Sequence, residues 1–228
     1  MTPHPLDMPA RAALSSRHRP FGLWSGEAAC YRPDIVPFAT TSPAEPGALA
    51  RLVAPGDQVA FLETGLVPDL PGFTVLARAQ GLQMVAETSF APAGDPRIRP
   101  LTAEDAPDML ALAELTKPGP FTLGALQLGR FWGIHEAGRL VAMAGERMAC
   151  DGFTEVSGVC AHPEMRGRGL ARSLSAHVAG VIQSEGGTAF LHAFATNAAA
   201  IGLYGSLGFV PRAEMQVAFM RRLEAPAD

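Results

Sequence analysis

The sequence predicts a mixed α/β fold, and three observations carry that prediction. Apolar runs of strand length alternate with two stretches of helical spacing in the second half of the chain. A glycine-rich turn there joins a strand to a helix. The composition, 48% hydrophobic and 18% charged over 228 residues, is that of a globular protein with a core to fill.

The first half is loosely written. Residues 27–31 read as a strand, 43–53 as a short helix and 58–63 as a strand, and a further strand begins near Phe73. Prolines at 33, 37, 43, 46, 55, 68 and 71 keep these elements short. The segment APAGDPRIRP (91–100) is rich in Pro and Gly and divides the chain into two expected domains, 1–95 and 96–228. No motif with chemical content lies in the first, which reads as a smaller α/β half.

The second half is clearer. Residues 97–101 form a strand, and Thr102 followed by Glu104 and Asp105 is an N-cap with an acidic first turn, opening a helix through Leu115. KPGPF (117–121) is a loop. Strands 131–135 and 140–147 flank the hairpin turn EAGR, and 154–161 is another strand. Leu170, Leu174, Val178 and Val181 recur at helical spacing, 188–195 is a strand, and a helix over 197–207 ends on Gly208. Residues 217–221 make a last strand. Residues 73–87 faintly echo 131–146, either as two chance hairpins or as a degenerate duplication. Trp24 and Trp132 read as core.

Charge and cysteine content narrow the function. A net charge of -4 argues against a nucleic-acid or anionic-membrane binder and mildly favours a cationic ligand by steering. Cys30, Cys150 and Cys160 are odd in number and form no CxxC pair, so neither a disulfide framework nor a structural metal site is expected, and a reducing, cytoplasmic setting is the default. The stretch 186–211 carries no charge and is long enough to span a bilayer, but Thr188, His192, Thr196, Asn197 and Ser206 within it argue against a span.

Two motifs carry chemistry. In VSGVCAHPEMRGRGLARSL (156–174), glycines at a strand-to-helix turn expose backbone N–H groups beside a helix N-terminus, which is a phosphate cradle. The dinucleotide fingerprint fails at Arg172, where its third glycine would stand, and the P-loop GK[ST] is absent. Arg166, Gly169 and Ala171 instead fit Arg-x-x-Gly-x-Ala, and Asn197 to Phe209 fits NxxAxxLYxxxGF. In this order the two motifs resemble the coenzyme A site of the GNAT (GCN5-related) N-acetyltransferase superfamily, with the tightest likeness to its FR47-like branch. The resemblance covers about residues 97–222 and implies a mostly antiparallel sheet flanked by helices, with the first half a degenerate lobe of the same kind or a substrate or dimer lobe.

The resemblance implies acetyl-CoA as cosubstrate, no metal, and a small-molecule or peptide amine as acceptor, with a homodimer left open. Val159, Cys160 and Ala161 would pair with pantetheine, and Arg166, Gly167, Arg168, Gly169, Leu170, Ala171 and Arg172 would hold the pyrophosphate. Asn197 would touch the pantetheine arm and Tyr204 would protonate the departing thiolate. A phenol's ordinary pKa of about 10 suits that role. The resemblance offers two candidate bases: Glu155, where histone-acetyltransferase-like members keep a strand glutamate and which shares a strand face with Ser157 and Val159, and His192, five residues before Asn197, where ribosomal-protein N-terminal acetyltransferases keep a glutamate and this chain departs with a histidine. Phe121, in the loop where the family binds its acceptor, would wall that site. The alternatives are a non-catalytic acyl-CoA sensor and an N-acyltransferase using another acyl-CoA.

Overall fold

The computed structural model describes residues 4–90 and 94–224, so the first residues of the expected linker, 91–93, lie outside the described residues. In chain order the elements are α1 (Pro9–Ser15), β1 (Gly22–Ser25), β2 (Ala28–Tyr31), β3 (Ala39–Thr40), β4 (Gln58–Glu63), β5 (Phe73–Ala86), β6 (Ile98–Leu101), α2 (Ala106–Thr116), β7 (Phe131–Glu136), β8 (Arg139–Cys150), β9 (Phe153–Ala161), α3 (Leu170–Ser184), β10 (Thr188–Phe194), α4 (Ala198–Leu207) and β11 (Phe209–Arg222). They form a small sheet β1-β2-β3 and a large one, β4-β11-β5-β10-β9-β8-β7-β6. In the large sheet only β9 and β10 are parallel.

The local rules behind the second half operate as expected. Thr102 accepts from the Glu104 amide at 3.2 Å, and the β7–β8 hairpin turns on Ala137 and Gly138, both at positive φ. Helix α4 starts on Asn197, whose Oδ1 accepts from Ala200, and ends on Gly208 at φ 100°. The uncharged stretch 186–211 resolves into β10, α4 and the start of β11. No helix among the described residues is long and apolar enough to cross a membrane.

Three expectations change. Residues 43–53 hold only a single 3-10 turn, Leu49–Arg51, because Pro43, Pro46 and Gly47 deny a helix its first turns. Residues 73–86 are one long strand rather than a hairpin, so their likeness to 131–146 does not extend to structure. Trp24 is 37% exposed beneath the Arg19 guanidinium, outside the core.

The largest difference concerns the 95/96 boundary. Strand β5 lies between β11 and β10, and β4 flanks β11, so hydrogen-bonded ladders cross the expected division. Strand β11 begins eight residues earlier than expected because β5 is there to pair with it. A register shift between Pro211 and Ala213 leaves Arg212 as the extra residue, which accommodates the missing proline N–H and turns the arginine inward. The sheet separates two cores. One joins α1, β2 and β4 with Phe190 and Val217, and the other joins α3 and α4 with Leu191 and Tyr204. Alternation along β10 therefore sends Phe190 and His192 to the α1 face and Leu191 to the α3 face.

Glu63, at the end of β4, supplies a stability prediction. Burial pushes its carboxyl up to about 7 against the opposing hydrogen bond from Thr40. A raised carboxyl favours the fold below the unfolded value of about 4.5, and that contribution is lost as pH climbs through 7. Glu63→Gln should match the parent near pH 5 and exceed it at pH 8 by on the order of 2–3 kcal/mol in urea unfolding. Equal stability at both pH values would place an ordinary carboxylate there.

Candidate active site

Strands β9 and β10 pair only at their starts, where Thr188 faces Phe153 and Phe190 faces Glu155. Beyond that point they part. Strand β10 stays with β5 as far as Phe194 opposite Gly81, while β9 stays with β8 across a register skip between Ser157 and Cys160. Gly158 takes φ 62° within the skip, and the bulge turns the end of β9 away from its partner. A cleft of about 520 Å³ opens in the wedge. Val159, Cys160 and Ala161 line it, and beyond Glu155 the strand β9 has no parallel pairing with β10.

At one end of the cleft stands the turn into α3. Gly167 and Gly169 hold φ of 76° and 74°, and a Cβ at either would meet open space. Glycine is needed there for its conformation rather than for room. Gly169 is the N-cap of a fifteen-residue helix whose first turn has no side-chain cap, so its N–H groups and dipole face outward as an anion cradle. Arg166, Gly167 and Ala171 line the cleft. The side chains of the other expected phosphate contacts also bond or pack within the protein. Arg168 pairs with Glu136 at 2.8 Å, Arg172 binds Ser206 of α4 at 2.6 Å, and Leu170 is buried in the core. These side chains brace the turn, while its backbone and Arg166 face the cleft.

On the same face Asn197 and Tyr204 line the cleft. The Tyr204 ring is buried edge-on to Phe209, and its hydroxyl has no hydrogen bond to a described residue. Burial, with the neighbouring Cys160 adding to it, pushes the phenol up to about 12, so it remains a proton donor at neutral pH. Burial likewise raises the Cys160 thiol to about 11, which disfavours the thiolate at neutral pH.

On the α1 face the two candidate bases are joined in one network. Glu155 is 1% exposed and does not line the cleft. Arg147 grips it with two bonds of 2.8 and 2.7 Å, the Met148 amide donates to it, and His192 Nδ1 stands 2.7 Å away. Burial works to raise this carboxyl, but the Arg147 charge and hydrogen bonds, with those of His192, overcome it and hold the group well below the carboxylate range. Its oxygens are thus engaged inside the network rather than in the cleft.

His192 does line the cleft, yet both its nitrogens are engaged. Its Nε2 lies 2.8 Å from Gln83 Nε2. The orientation of the Gln83 amide is set at both ends, since its oxygen accepts from Arg212 and its nitrogen donates to Leu6 O at 2.9 Å. Gln83 therefore donates to the His192 Nε2 lone pair and Nδ1–H donates to Glu155. Arg212 in turn pairs with Asp7 at 2.7 Å. The resulting chain runs Asp7–Arg212–Gln83–His192–Glu155–Arg147. It holds both His192 ring nitrogens in hydrogen bonds within the network.

Phe121, with Pro118, Gly119, Pro120 and Arg147, lines a smaller pocket that shares those four residues with the cleft. It packs edge-on against Phe131 at 5.7 Å and does not line the cleft, where Pro118 and Pro120 of the same loop stand instead. The sequence reading missed Phe38, Leu62 and Gly81 from the first half, together with Arg147, Val217 and Phe219, all of which line the cleft. Only Arg147 carried a signal, as a charged residue among the apolar residues of β8. Among the described residues no group of His, Cys, Asp or Glu stands where it could hold a metal ion.

A mostly antiparallel sheet split between its two parallel strands, with a glycine cradle at the head of the next helix, is the architecture of the GNAT acetyltransferases. The family model described as FR47-like protein matches residues 131–217. The crystal structure of a GNAT-family protein from Novosphingobium aromaticivorans DSM 12444 is similar at 38% identity, with a TM-score of 0.92 over 97% of this chain and 100% of that one. The chain belongs to the GNAT family. A GCN5-related N-acetyltransferase from Kribbella flavida shares the fold at 21% identity, with a TM-score of 0.60 over 95% of this chain and 96% of that one. Among curated proteins no relative matches.

Proposed function

We propose that the protein is an acetyl-CoA-dependent N-acetyltransferase that moves the acetyl group to a primary amine by direct attack. The observation that carries this reading is one continuous cleft, which runs from the α3 cradle past Tyr204 and through the wedge to the α1 face. The cradle and Arg166 suit the pyrophosphate. The open side of Val159, Cys160 and Ala161 suits pantetheine, and a backbone N–H there would polarise the thioester carbonyl. Residues 1–95 then complete the acceptor side through Phe38, Leu62 and Gly81, rather than forming a separate lobe.

In the reaction the amine nitrogen bonds to the carbonyl carbon and the carbon–sulfur bond breaks. Tyr204 gives its proton to the sulfur and recovers one from solvent, into which the nitrogen's proton passes. No Asp or Glu is among the described residues lining the cleft, whereas Lys117, Arg147 and Arg166 are. Positive charge and apolar walls disfavour the ammonium form of the acceptor, so the amine reacts as the free base without a strong enzyme base.

This mechanism sets the pH dependence. With acetyl-CoA and a series of amines, release of the CoA thiol should require the amine, and the acidic limb of kcat/KM should follow each amine's own pKa. One limb position shared by all the amines would indicate an enzymatic base. Binding of acetyl-CoA with no thiol release for any amine would leave a non-catalytic acyl-CoA sensor.

A further inference from the structure

The acceptor end of the cleft has a composition that specifies a substrate. Its walls on the α1 face are Phe38, Leu62, Val217 and Phe219, all apolar. Set into them is one fixed charge, Arg147, whose side chain is 11% exposed. Its Cζ stands 4.7 Å from the centre of the Phe38 ring. Nε and Nη2 are both committed to Glu155, and Nη1 has no hydrogen-bond partner among the described residues. The guanidinium is thus held rigidly by a carboxylate behind it and an aromatic ring beside it, with a charge-assisted donor left over in a cleft that offers no acidic lining residue.

Such a donor needs an acceptor once a bound substrate excludes water, and an anionic oxygen satisfies it best. Resting on the acetyltransferase reading above, we infer that the acceptor is an amine carrying a carboxylate and an apolar body, that is, a free α-amino acid with an apolar side chain, and that Arg147 recognises its carboxylate. Phe38, Leu62, Val217 and Phe219 surround the side chain, and the amino group is left to face the thioester in the wedge. Polyamines, which bring two or more positive charges and no anion, meet the wrong partner here. The mild preference for cationic acceptors suggested by the net charge is overridden by the local field.

The test compares phenylalanine and leucine with their C-terminal amides, with phenethylamine and isoamylamine, and with spermidine, in acetyl-CoA-dependent thiol release by the full chain. The free acids should exceed their amides and the decarboxylated amines by roughly 10–100-fold in kcat/KM, the loss expected for one charge-assisted hydrogen bond. Most of that difference should appear in KM. Amides or simple amines reacting as well as the acids would overturn the assignment while leaving acetyl transfer intact. No reaction with any amine would overturn the acetyltransferase reading and this one with it.

A paired variant, Arg147→Gln with Glu155→Gln, removes both members of the ion pair together and leaves neither charge unmatched. It should lose the preference for acid over amide. A preference that survives in the folded double variant would show that another group reads the carboxylate. Should that variant fail to fold, the substrate series on the parent protein still decides.

Discussion

Tyr204→Phe is expected to lower kcat by roughly 10²–10⁴-fold, the usual contribution of a positioned general acid, while leaving acetyl-CoA affinity nearly unchanged. The ring is buried edge-on to Phe209, 6.1 Å between centroids, and phenylalanine preserves that packing. Only the hydroxyl is lost. Its high pKa, about 12, keeps the proton available throughout the neutral range, so the leaving thiolate would be protonated where it forms. Single-turnover rates and calorimetric affinities separate the two roles. An equal loss in both would mean that Tyr204 shapes the cofactor pocket and donates no proton.

Glu155→Ala is expected to be the most destabilising single change at the site, by about 3–5 kcal/mol, because it strands a nearly buried guanidinium. Glu155 is 1% and Arg147 11% exposed at the side chain, and the loss extends to the His192 Nδ1 bond. The carboxyl is depressed in the fold, so its contribution is present above the unfolded value near 4.5 and lost as pH falls below it. Urea unfolding should therefore show the variant's deficit in full at pH 7 and shrinking below about pH 4.5. The variant with both Arg147→Gln and Glu155→Gln should recover much of the deficit, since no charge is left without its partner. A cost under about 1 kcal/mol at pH 7 would be that of an exposed pair.

What the sequence disclosed follows from where its information is local. The α3 turn was legible because a left-handed backbone at Gly167 and Gly169 leaves a mark in the residues themselves. Asn197 and Tyr204 were legible because a cap and a helix face lie within a dozen residues of each other. The acceptor side had no such mark. Phe38, Leu62 and Gly81 look like ordinary strand and loop residues until β5 inserts between β10 and β11, and pairing partners so distant in sequence cannot be read from a run of apolar residues. The network around the candidate bases was hidden in the same way. Glu155 and His192 each fit a position where a base could stand, but Gln83, Arg147 and Arg212, which occupy their polar atoms, come from three different strands. The packing of Phe121 on Phe131 was hidden for a related reason, since a phenylalanine beside an apolar strand finds a ring to pack on before it finds solvent.

Calorimetric titration of the full chain with acetyl-CoA, beside Gly169→Val, tests the central claim most directly. The parent should bind one equivalent, and the variant should bind far more weakly, because valine does not tolerate the φ of 74° that aims the first N–H groups of α3 at the cleft. Absence of heat at millimolar acetyl-CoA, or equal affinity in a folded variant, would contradict the assignment of this cleft to a CoA thioester.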